Sequence, residues 1–559
     1  MIRFEPPQAG SDAFSLEGGF LFGPDGVPTQ GAVREEDGLI VCERGGPEAA
    51  GLALIVDLDM GRDSDLPGPI GRLMLRTCLL PPRERPYLLS LELARARVML
   101  YLNKLEDWGL FDGGATAGPD IQSRLTSITA RFEEARAAFS RALVAHRAPE
   151  APSERSDPAT DALARRALVL AIDAGEQLAL ASTARELAPR LEGIHYANAA
   201  EQYRKAHSAD PPAEAPIVVP NTTGVVLPRK PAMGVGIDPA LFSPELQKAA
   251  LASADFIALP LRWIDMEPVE GKYDFKSTDR WIEWAVRKAR LPIVAGPVID
   301  FRPGQAPEWL HIWENDYDTL RELVYEHVKQ VVTRYRRTIR RWTVATALHV
   351  NTNFRLGFEQ MMDLTRVSVL MVRKLHPQAR IQLEIVQPWG EYHAFNKRSL
   401  PPVLYAEMVQ QVGITVDAYA LRLQMGHTGP GLATRDMMQL SAMLDRYAQL
   451  ERPIAVTAAG APVRGADGPG RTWWRGGWSP ERQADWLERV AQVCLAKPFV
   501  HSFSWQDLAE SEPQNRRADM PDGGLLDAGF TRRPAFERFV ALREALREGR
   551  SLPVRPELP

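Results

Sequence analysis

The stretch Trp342-Thr-Val-Ala-Thr-Ala-Leu348 is followed by a helical run, Phe358–Leu375, and then by Ile381-Gln-Leu-Glu-Ile-Val386. Short apolar stretches on either side of a run with apolar residues at three-to-four spacing indicate a strand–helix–strand unit. The pattern continues in both directions, with further strand-like runs at Ala232–Ile237, Phe256–Leu261, Leu291–Ile299, Val416–Leu423, Ile454–Val456 and Phe499–Phe503, and helical runs at Leu320–Tyr335, Arg435–Gln449 and Pro480–Ala496. Eight short buried strands alternating with helices predict parallel βαβ units of the α/β class, closed into a (β/α)8 TIM barrel.

The residues before this barrel follow other patterns. Short apolar stretches between Gly, Asp and Pro clusters predict a β-rich module first, and long amphipathic helices are predicted after it at Tyr87–Leu105, Ile121–Ala148 and Pro158–Arg204. The β-rich module is interpreted as a carbohydrate-binding-like sandwich or a protein-docking module. The sequence thus divides into a β-rich module, a helical segment, a Pro-rich linker, the barrel and a tail, at 1–85, 86–206, 207–216, 217–549 and 550–559.

Composition excludes several classes of protein. The 559 residues carry 67 Lys+Arg against 71 Asp+Glu, a net charge of −4, and this balance argues against a nucleic-acid-binding protein. A hydrophobic fraction of 45% excludes global disorder, and no apolar run is long enough to predict a membrane span. The N-terminus lacks the pattern of a secretory signal and the three cysteines are far apart, so a cytoplasmic location is expected, although secretion by another route stays open.

Several motifs in the barrel segment occur in the order of a known family. They are Arg262-Trp263, Glu267-Pro268-x-x-Gly271-x-Tyr273-x-Phe275, Gln305-x-Pro307-x-Trp309, Trp342-x-Val344, Trp505-Gln506-Asp507 and Gly524-Leu-Leu-Asp527. With these motifs, the segment from about 216 to 545 resembles glycoside hydrolase family 10, the β-1,4-xylanase family. The resemblance implies a TIM barrel that acts on the O-glycosidic bonds of xylan or a related β-1,4-glycan.

The two catalytic glutamates that the resemblance implies are replaced. A retaining glycosidase needs one carboxyl group to protonate the leaving oxygen and another to attack the anomeric carbon. Thr346-Ala347 stands where the family has Asn-Glu after its fourth strand, and Thr457-Ala458 stands where it has Thr-Glu at the end of its seventh. A methyl group can neither carry a proton nor form a glycosyl ester, so the usual mechanism is excluded.

One interpretation is that other residues have taken over hydrolysis. Glu391 follows the fifth strand, where a barrel places its functional loops, and the neighbouring Trp389 could raise its pKa toward that of an acid. His349 after the fourth strand and Asp300 at the end of the third are its candidate partners. Glu384 lies inside a strand and is expected to be structural.

The other interpretation is a catalytically inactive pseudoenzyme that binds a glycan or serves as a scaffold. Sugar C–H faces pack on aromatic rings, and sugar hydroxyls pair with amides, carboxylates and other polar groups. The candidate binding residues are Arg262, Trp263, Gln305, Trp309, Asn351, Asn353, Trp389, Gln424, His427, Trp473, Trp474, Trp505 and Asp507. Trp473 and Trp474, with Trp478, form either a lid over the barrel mouth or a sugar platform.

The expected partner is therefore a β-1,4-linked polysaccharide or oligosaccharide. A protein partner at the helical segment is a further hypothesis, and it predicts an apolar patch on those helices. No phosphate-binding loop, metal-ligand spacing or dinucleotide fingerprint is present in the sequence, so no cofactor and no metal are expected.

Overall fold

The computed structural model describes residues 1–7, 13–59, 66–110, 119–147, 156–212, 215–219, 224–465, 470–511, 520 and 522–550. Residues 213–214 of the predicted linker and 551–559 of the predicted tail lie outside the described residues.

The chain begins with two small β-sheets, which confirms the predicted β-rich module. The strands are β1 (Ile2–Glu5), β2 (Phe14–Phe22), β3 (Pro28–Thr29), β4 (Ala32–Glu36), β5 (Leu39–Glu43), β6 (Gly51–Asp57), β7 (Gly71–Arg76) and β8 (Tyr87–Leu88). One sheet has the order β4-β5-β1-β8, and β7, β6, β2 and β3 are consecutive in the other. Buried residues from both sheets, such as Ile40 and Leu54, share one apolar cluster with the helices that follow.

The predicted helical segment follows as four helices. They are α1 (Leu89–Asp107), α2 (Pro119–Arg147), α3 (Pro158–Leu191) and α4 (Ile194–His207). The third predicted helix is divided because Gly193 adopts a φ of +78°, a left-handed conformation that ends a helix. By length and composition α3 could cross a membrane, but 89% of its most apolar window is buried inside the protein, and this burial already accounts for its apolar character.

The rest of the chain alternates strands and helices. After the short pair β9 (Ile217–Val218) and β10 (Val225–Val226), the strands are β11 (Ala232–Gly236), β12 (Phe256–Leu259), β13 (Ile293–Ala295), β14 (Ile299–Asp300), β15 (Arg341–Thr346), β16 (Arg380–Ile385), β17 (Ala418–Gln424), β18 (Ile454–Gly460), β19 (Trp473–Trp474) and β20 (Val500–Trp505). The helices are α5 (Pro244–Ser253), α6 (Trp263–Met266), α7 (Lys276–Glu283), α8 (Tyr317–Tyr335), α9 (Phe358–Leu375), α10 (Pro402–Gln411), α11 (Met437–Ala448), α12 (Pro480–Ala496) and α13 (Pro534–Glu548).

These strands close into the predicted (β/α)8 barrel. The sheet runs β13-β12-β11-β20-β18-β17-β16-β15-β14, and a parallel pairing of β13 with β15 closes the ring. The third barrel position is occupied by two short strands, β13 and β14, which both pair with β15. All eight strand-like runs of the sequence become barrel strands, so their carboxyl ends meet at one mouth.

The N-terminal half and the barrel are joined by a shared sheet. Strand β19, from the loop after β18, pairs antiparallel with β7 and so extends the five-stranded N-terminal sheet. Beside it, Glu176 of α3 accepts hydrogen bonds from Trp474 Nε1 at 2.7 Å and from the backbone N–H of Met437 at 3.0 Å. Arg475 is 1% exposed and pairs with both Glu176 and Asp173. This connection was not predicted, because it joins residues some 300 positions apart in the sequence.

Candidate functional site

A narrow cleft lies at the mouth of the barrel. Its volume is about 90 Å³, well below the roughly 300–1,000 Å³ of a typical small-molecule pocket. Its walls come from the ends of the barrel strands and the first residues after them: Gly236, Ile237, Ala258, Pro260, Arg262, Val294, Gly296, Pro297, Asp300, Arg302, Gln305, Thr343, Glu384, Arg422, Thr457, Ala458, Ser504, Gln506 and Asp507. Three arginines and three carboxylates therefore face a small space.

Glu384 is the most extensively held carboxylate of the cleft. Its Oε1 accepts a hydrogen bond from Thr346 Oγ1 at 2.7 Å, and its Oε2 accepts one from Thr457 Oγ1 at 2.7 Å. Arg422 Nη2 lies 3.0 Å from Oε1. Burial raises the pKa of Glu384, but Arg422, Arg302 and the two threonine hydroxyls together outweigh burial and lower it. Glu384 is therefore ionised, and both of its oxygens are already engaged.

This position of Glu384 follows from the register of four neighbouring parallel strands. Thr346 on β15 stands opposite Glu384 on β16, and Arg422 on β17 stands opposite Thr457 on β18. The polar residues Gln382 and Glu384 alternate with apolar ones along β16, so both point to the same face of the strand. From the sequence Glu384 was expected to be structural, but its side chain lines the cleft at the barrel mouth.

The two positions that the resemblance assigns to catalytic glutamates have an unusual backbone. Ala347 has a φ of +55° and Ala458 a φ of +47°, a left-handed conformation that is unfavourable for residues other than glycine. Ala458 lines the cleft, whereas Ala347 is buried in a small apolar cluster with Val386 and Tyr392. The backbone at both positions is strained, and neither side chain carries a group that could transfer a proton.

The remaining carboxylates of the cleft are also held by neighbours. Asp300 forms a bidentate ion pair with Arg302, whose Nε lies 3.1 Å from both carboxylate oxygens. Asp507 accepts a hydrogen bond from Gln506 Nε2 at 2.9 Å, and Gln506 in turn accepts one from Gln424. Four of the predicted site residues therefore line the cleft: Asp300, Asp507, Arg262 and Gln305. Gln424 is joined to the cleft through its hydrogen bond to Gln506.

Glu391 lies away from the cleft, which corrects its expected position at the mouth. Gly390, at a φ of +81°, starts a short 3₁₀ helix, Glu391–Ala394, that turns the side chain inward. There Glu391 is 1% exposed and forms an ion pair with the equally buried Arg435, whose guanidinium lies 5.1 Å above the ring of Trp389. The Glu391 carboxylate packs beneath the N-terminal sheet rather than beside a possible substrate.

His349 also lies outside the cleft, in contrast to its expected place beside a catalytic acid. It is fully buried, and its Nε2 donates a hydrogen bond to the carbonyl oxygen of Val386 at 3.1 Å. Burial lowers its pKa to about 4, against smaller raising effects of this hydrogen bond and of Glu384, so the ring is neutral at pH 7. The ring stacks on Tyr405 at 5.2 Å, and this packing accounts for its position.

The two predicted asparagines hold loop backbone. Asn351 donates to the carbonyl oxygens of Leu356 and Arg398, at 2.7 and 2.9 Å, and Asn353 donates to that of Phe301 at 2.7 Å. Their amide N–H groups are engaged in fixing the loop after β15.

Three of the six candidate binding tryptophans are core residues. Trp263, Trp474 and Trp505 are at most 1% exposed, so no ring face is open to a sugar. Their indole N–H groups donate to Glu267, to Glu176 and to the carbonyl oxygen of Gly523. Buried indoles need such a partner, and here the partners fix them inside the protein.

The other aromatic and imidazole candidates are partly buried. Trp309 donates to the carbonyl oxygen of Glu267 at 3.0 Å, and Trp473 lies in β19 with the Arg72 guanidinium over its ring. Trp473 and Trp474 therefore extend the N-terminal sheet, a role that neither the lid nor the platform hypothesis included. His427 lies against Arg471, and burial together with this cation lowers its pKa.

Within the part of the chain that the structure describes, no group of three or more His, Cys, Asp or Glu side chains is arranged to hold a metal ion.

The barrel segment is similar to known proteins. The model of glycosyl hydrolase family 10 matches residues 232–541. Endo-1,4-beta-xylanase B of Thermotoga neapolitana is 19% identical over 253 residues, which are 44% of this chain and 66% of that protein, just under two thirds of its length.

Among solved structures, xylanase 10B from Thermotoga petrophila RKU-1 in complex with xylobiose is 15% identical, with a TM-score of 0.43 over 57% of this chain and 94% of that one. Xylanase B from Clostridium stercorarium F9 is 13% identical, with a TM-score of 0.44 over 56% of this chain and 96% of that one. Because the family model covers more than half of the 559 residues, the chain belongs to glycosyl hydrolase family 10.

Proposed function

We propose that the barrel mouth binds the end of a short xylan-type oligosaccharide and does not hydrolyse it. The protein is then a glycan-binding descendant of a glycosidase, in which the arginine–carboxylate network of the cleft replaces the catalytic pair.

The observation that carries this proposal is the engagement of the cleft carboxylates. Glycosidic cleavage needs a carboxylic acid that can donate a proton to the leaving oxygen. Arg422, Thr346 and Thr457 occupy both oxygens of Glu384, and its pKa is lowered, which is the opposite of what an acid requires. Asp300 is already the bidentate partner of Arg302.

The remaining lining suits recognition of hydroxyl groups. Gln305 and Gln506 offer amides, Ser504 offers a hydroxyl, and Asp507 offers carboxylate lone pairs. A volume of about 90 Å³ favours a chain end over an internal segment of a polymer. The curated relative is an endo-1,4-beta-xylanase, which makes xylan fragments the first ligands to test.

The test is calorimetric titration of the full chain with xylotetraose. We expect one site per chain, and Asp507→Ala should weaken binding about tenfold or more, because a hydrogen bond to a charged group contributes about 1.5–3 kcal/mol. Asp318→Ala is the matched control, since Asp318 is exposed in the first turn of α8 and does not line the cleft.

Three outcomes contradict the proposal. Absence of binding removes the glycan from the mouth, and an unchanged affinity in Asp507→Ala places the ligand elsewhere. Shorter xylo-oligosaccharides after prolonged incubation, detected by mass spectrometry, would show that the cleft carboxylates do support hydrolysis.

A further inference from the structure

A second cavity lies on the side of the barrel, where the N-terminal sheet and α1 meet α11. Its volume is about 270 Å³, and it is separate from the cleft at the mouth. Phe22, Leu100, Trp389 and Met443 form apolar walls. The cavity exists only because the N-terminal half packs on the barrel, so the family's barrel alone does not contain it.

Two arginines without a carboxylate partner face this cavity. Arg76 ends β7 and Arg446 lies in α11, and in the described part of the chain neither has an ion pair. Both guanidinium groups flank Gly26: a Cβ added there would lie 3.2 Å from Arg76 Nη1 and 3.9 Å from Arg446 Nη1. Among the described residues, the Arg76 guanidinium donates to the carbonyl oxygens of Gly26 and Trp389, each at 3.5 Å, and lies over the rings of Phe20 and Phe22.

The surroundings of the cavity keep this positive charge unbalanced. Arg97, which also lines it, is neutralised by the buried Asp436 at 2.6 Å, and Arg435 behind the wall is neutralised by Glu391. Burial and the nearby Arg435 and Arg446 lower the pKa of Arg76 to about 10, against a raising effect of Glu391, so the group still carries its charge at pH 7. Partly desolvated cations without a counter-ion are costly, and an anion in the cavity would remove that cost.

We propose that this cavity binds a small organic carboxylate with an apolar body, the carboxylate lying between Arg76 and Arg446 and the body against Trp389 and Met443. Arginine pairs with a carboxylate through two parallel hydrogen bonds, so a planar anion fits these guanidinium groups well. The apolar walls favour a ligand with an aryl or short acyl body over inorganic phosphate, and the Trp389 ring can pack against an aryl group.

The test is calorimetric titration of the full chain with benzoate, alongside its neutral isostere benzamide and inorganic phosphate. We expect one benzoate site per chain, with benzamide and phosphate each binding at least tenfold more weakly. Arg446→Gln should weaken benzoate binding about tenfold or more, because it removes one of the two cations. The matched control is Arg452→Gln, whose guanidinium bonds the Glu451 carbonyl oxygen just beyond α11 and does not line the cavity.

A second variant keeps the test decisive if the arginine substitution impairs folding. Ala442→Phe fills the cavity from α11 and leaves both arginines in place, so it should abolish benzoate binding. The proposal is overturned by equal affinity for benzoate and benzamide, by phosphate binding as tightly as benzoate, by no benzoate binding at millimolar concentration, or by binding that both Arg446→Gln and Ala442→Phe retain. Xylotetraose binding at the mouth is measured separately, so the failure of one proposal leaves the other intact.

Discussion

Replacing Arg422 by Met should make the stability of the protein depend on pH in a new way. The Arg422–Glu384 pair is enclosed, with side-chain exposures of 12% and 4%. Breaking a buried ion pair by removing one partner costs about 3–5 kcal/mol, because the other charge stays buried. We expect Arg422→Met to lower the free energy of unfolding by about that amount at pH 7.

The decrease in unfolding free energy caused by Arg422→Met should become smaller as the pH falls. In the native protein the pKa of Glu384 is lowered from 4.5, so its contribution to stability is present above pH 4.5 and disappears as the pH falls through the folded-state value. Removing Arg422 removes the largest lowering effect while burial, the largest effect of all, stays, so we expect the folded-state pKa of Glu384 to rise above 4.5. Its contribution is then present below pH 4.5 and is lost as the pH rises through the folded-state pKa. At pH values between the folded-state pKa of Glu384 in the native protein and that in Arg422→Met, the difference in unfolding free energy between the two proteins changes by about 1.4 kcal/mol per pH unit.

The assay is urea denaturation of both proteins at several pH values between about 4 and 7, the window set by these carboxylate pKa values. Arg380→Met is the control. Arg380 lies on β16, the strand of Glu384, but it is 73% exposed in its pair with Asp417, so its loss should cost about 1 kcal/mol or less. An equal loss of stability at pH 4 and pH 7 in Arg422→Met would refute the assignment of Glu384 as an enclosed carboxylate held ionised by Arg422.

Three further predictions concern the rest of the molecule. Glu176→Ala should destabilise the whole chain by about 3–5 kcal/mol in thermal or urea unfolding and expose the α3–barrel junction to limited proteolysis, because Arg475 is left buried with Asp173 as its remaining partner; a loss within measurement error would contradict this. Ala458→Gly should raise the free energy of unfolding by up to about 1 kcal/mol, since glycine adopts the positive φ without strain, whereas a destabilised variant would argue against strain at this position. Glu391→Gln should lower stability by about 3–5 kcal/mol, because it removes the ion-pair partner of the buried Arg435, but it should leave the affinity for xylotetraose unchanged, because neither residue lines the cleft; an altered affinity in calorimetry would return Glu391 to the site.

The barrel was predictable because its signals are local. Each strand of a parallel sheet covered by helices is a short apolar run, and each covering helix has its own periodicity, so Ile381–Val386 and Phe358–Leu375 could be recognised separately. The attachment of the N-terminal half was not predictable in this way. Strand β19 is only two residues long, and its pairing with β7 depends on contacts between distant parts of the chain.

The site was predictable where a residue ends a strand and points into the mouth. Asp300, Arg262, Gln305 and Asp507 follow strand ends and do line the cleft. Glu384 was missed as a site residue because one strand does not reveal which of its faces is the interior. The alternation of Gln382 and Glu384, read together with Arg422 on the next strand, was the available signal, since unlike charges on neighbouring strands favour pairing.

Residues on the loops were harder to place. The position of Glu391 after the fifth strand predicted that it faces a substrate. Instead, the N-terminal sheet packs against the short helix that begins at Glu391, and the carboxylate forms a buried ion pair with Arg435. The same half of the chain provides Glu176 as the partner of Trp474. Neither partner could be inferred from the residues around Glu391 or Trp474, because Arg435 and Glu176 lie elsewhere in the sequence.

The most direct test of a glycan-binding, non-hydrolytic mouth is native mass spectrometry of the full chain after prolonged incubation with xylohexaose. We expect a complex of one chain with one intact xylohexaose, because the mouth holds the glycan and no carboxyl group in it serves as an acid. Oligosaccharides shorter than six units, free or bound and absent from a protein-free control, would contradict this expectation by showing hydrolysis, and the absence of any complex would contradict it by removing the glycan.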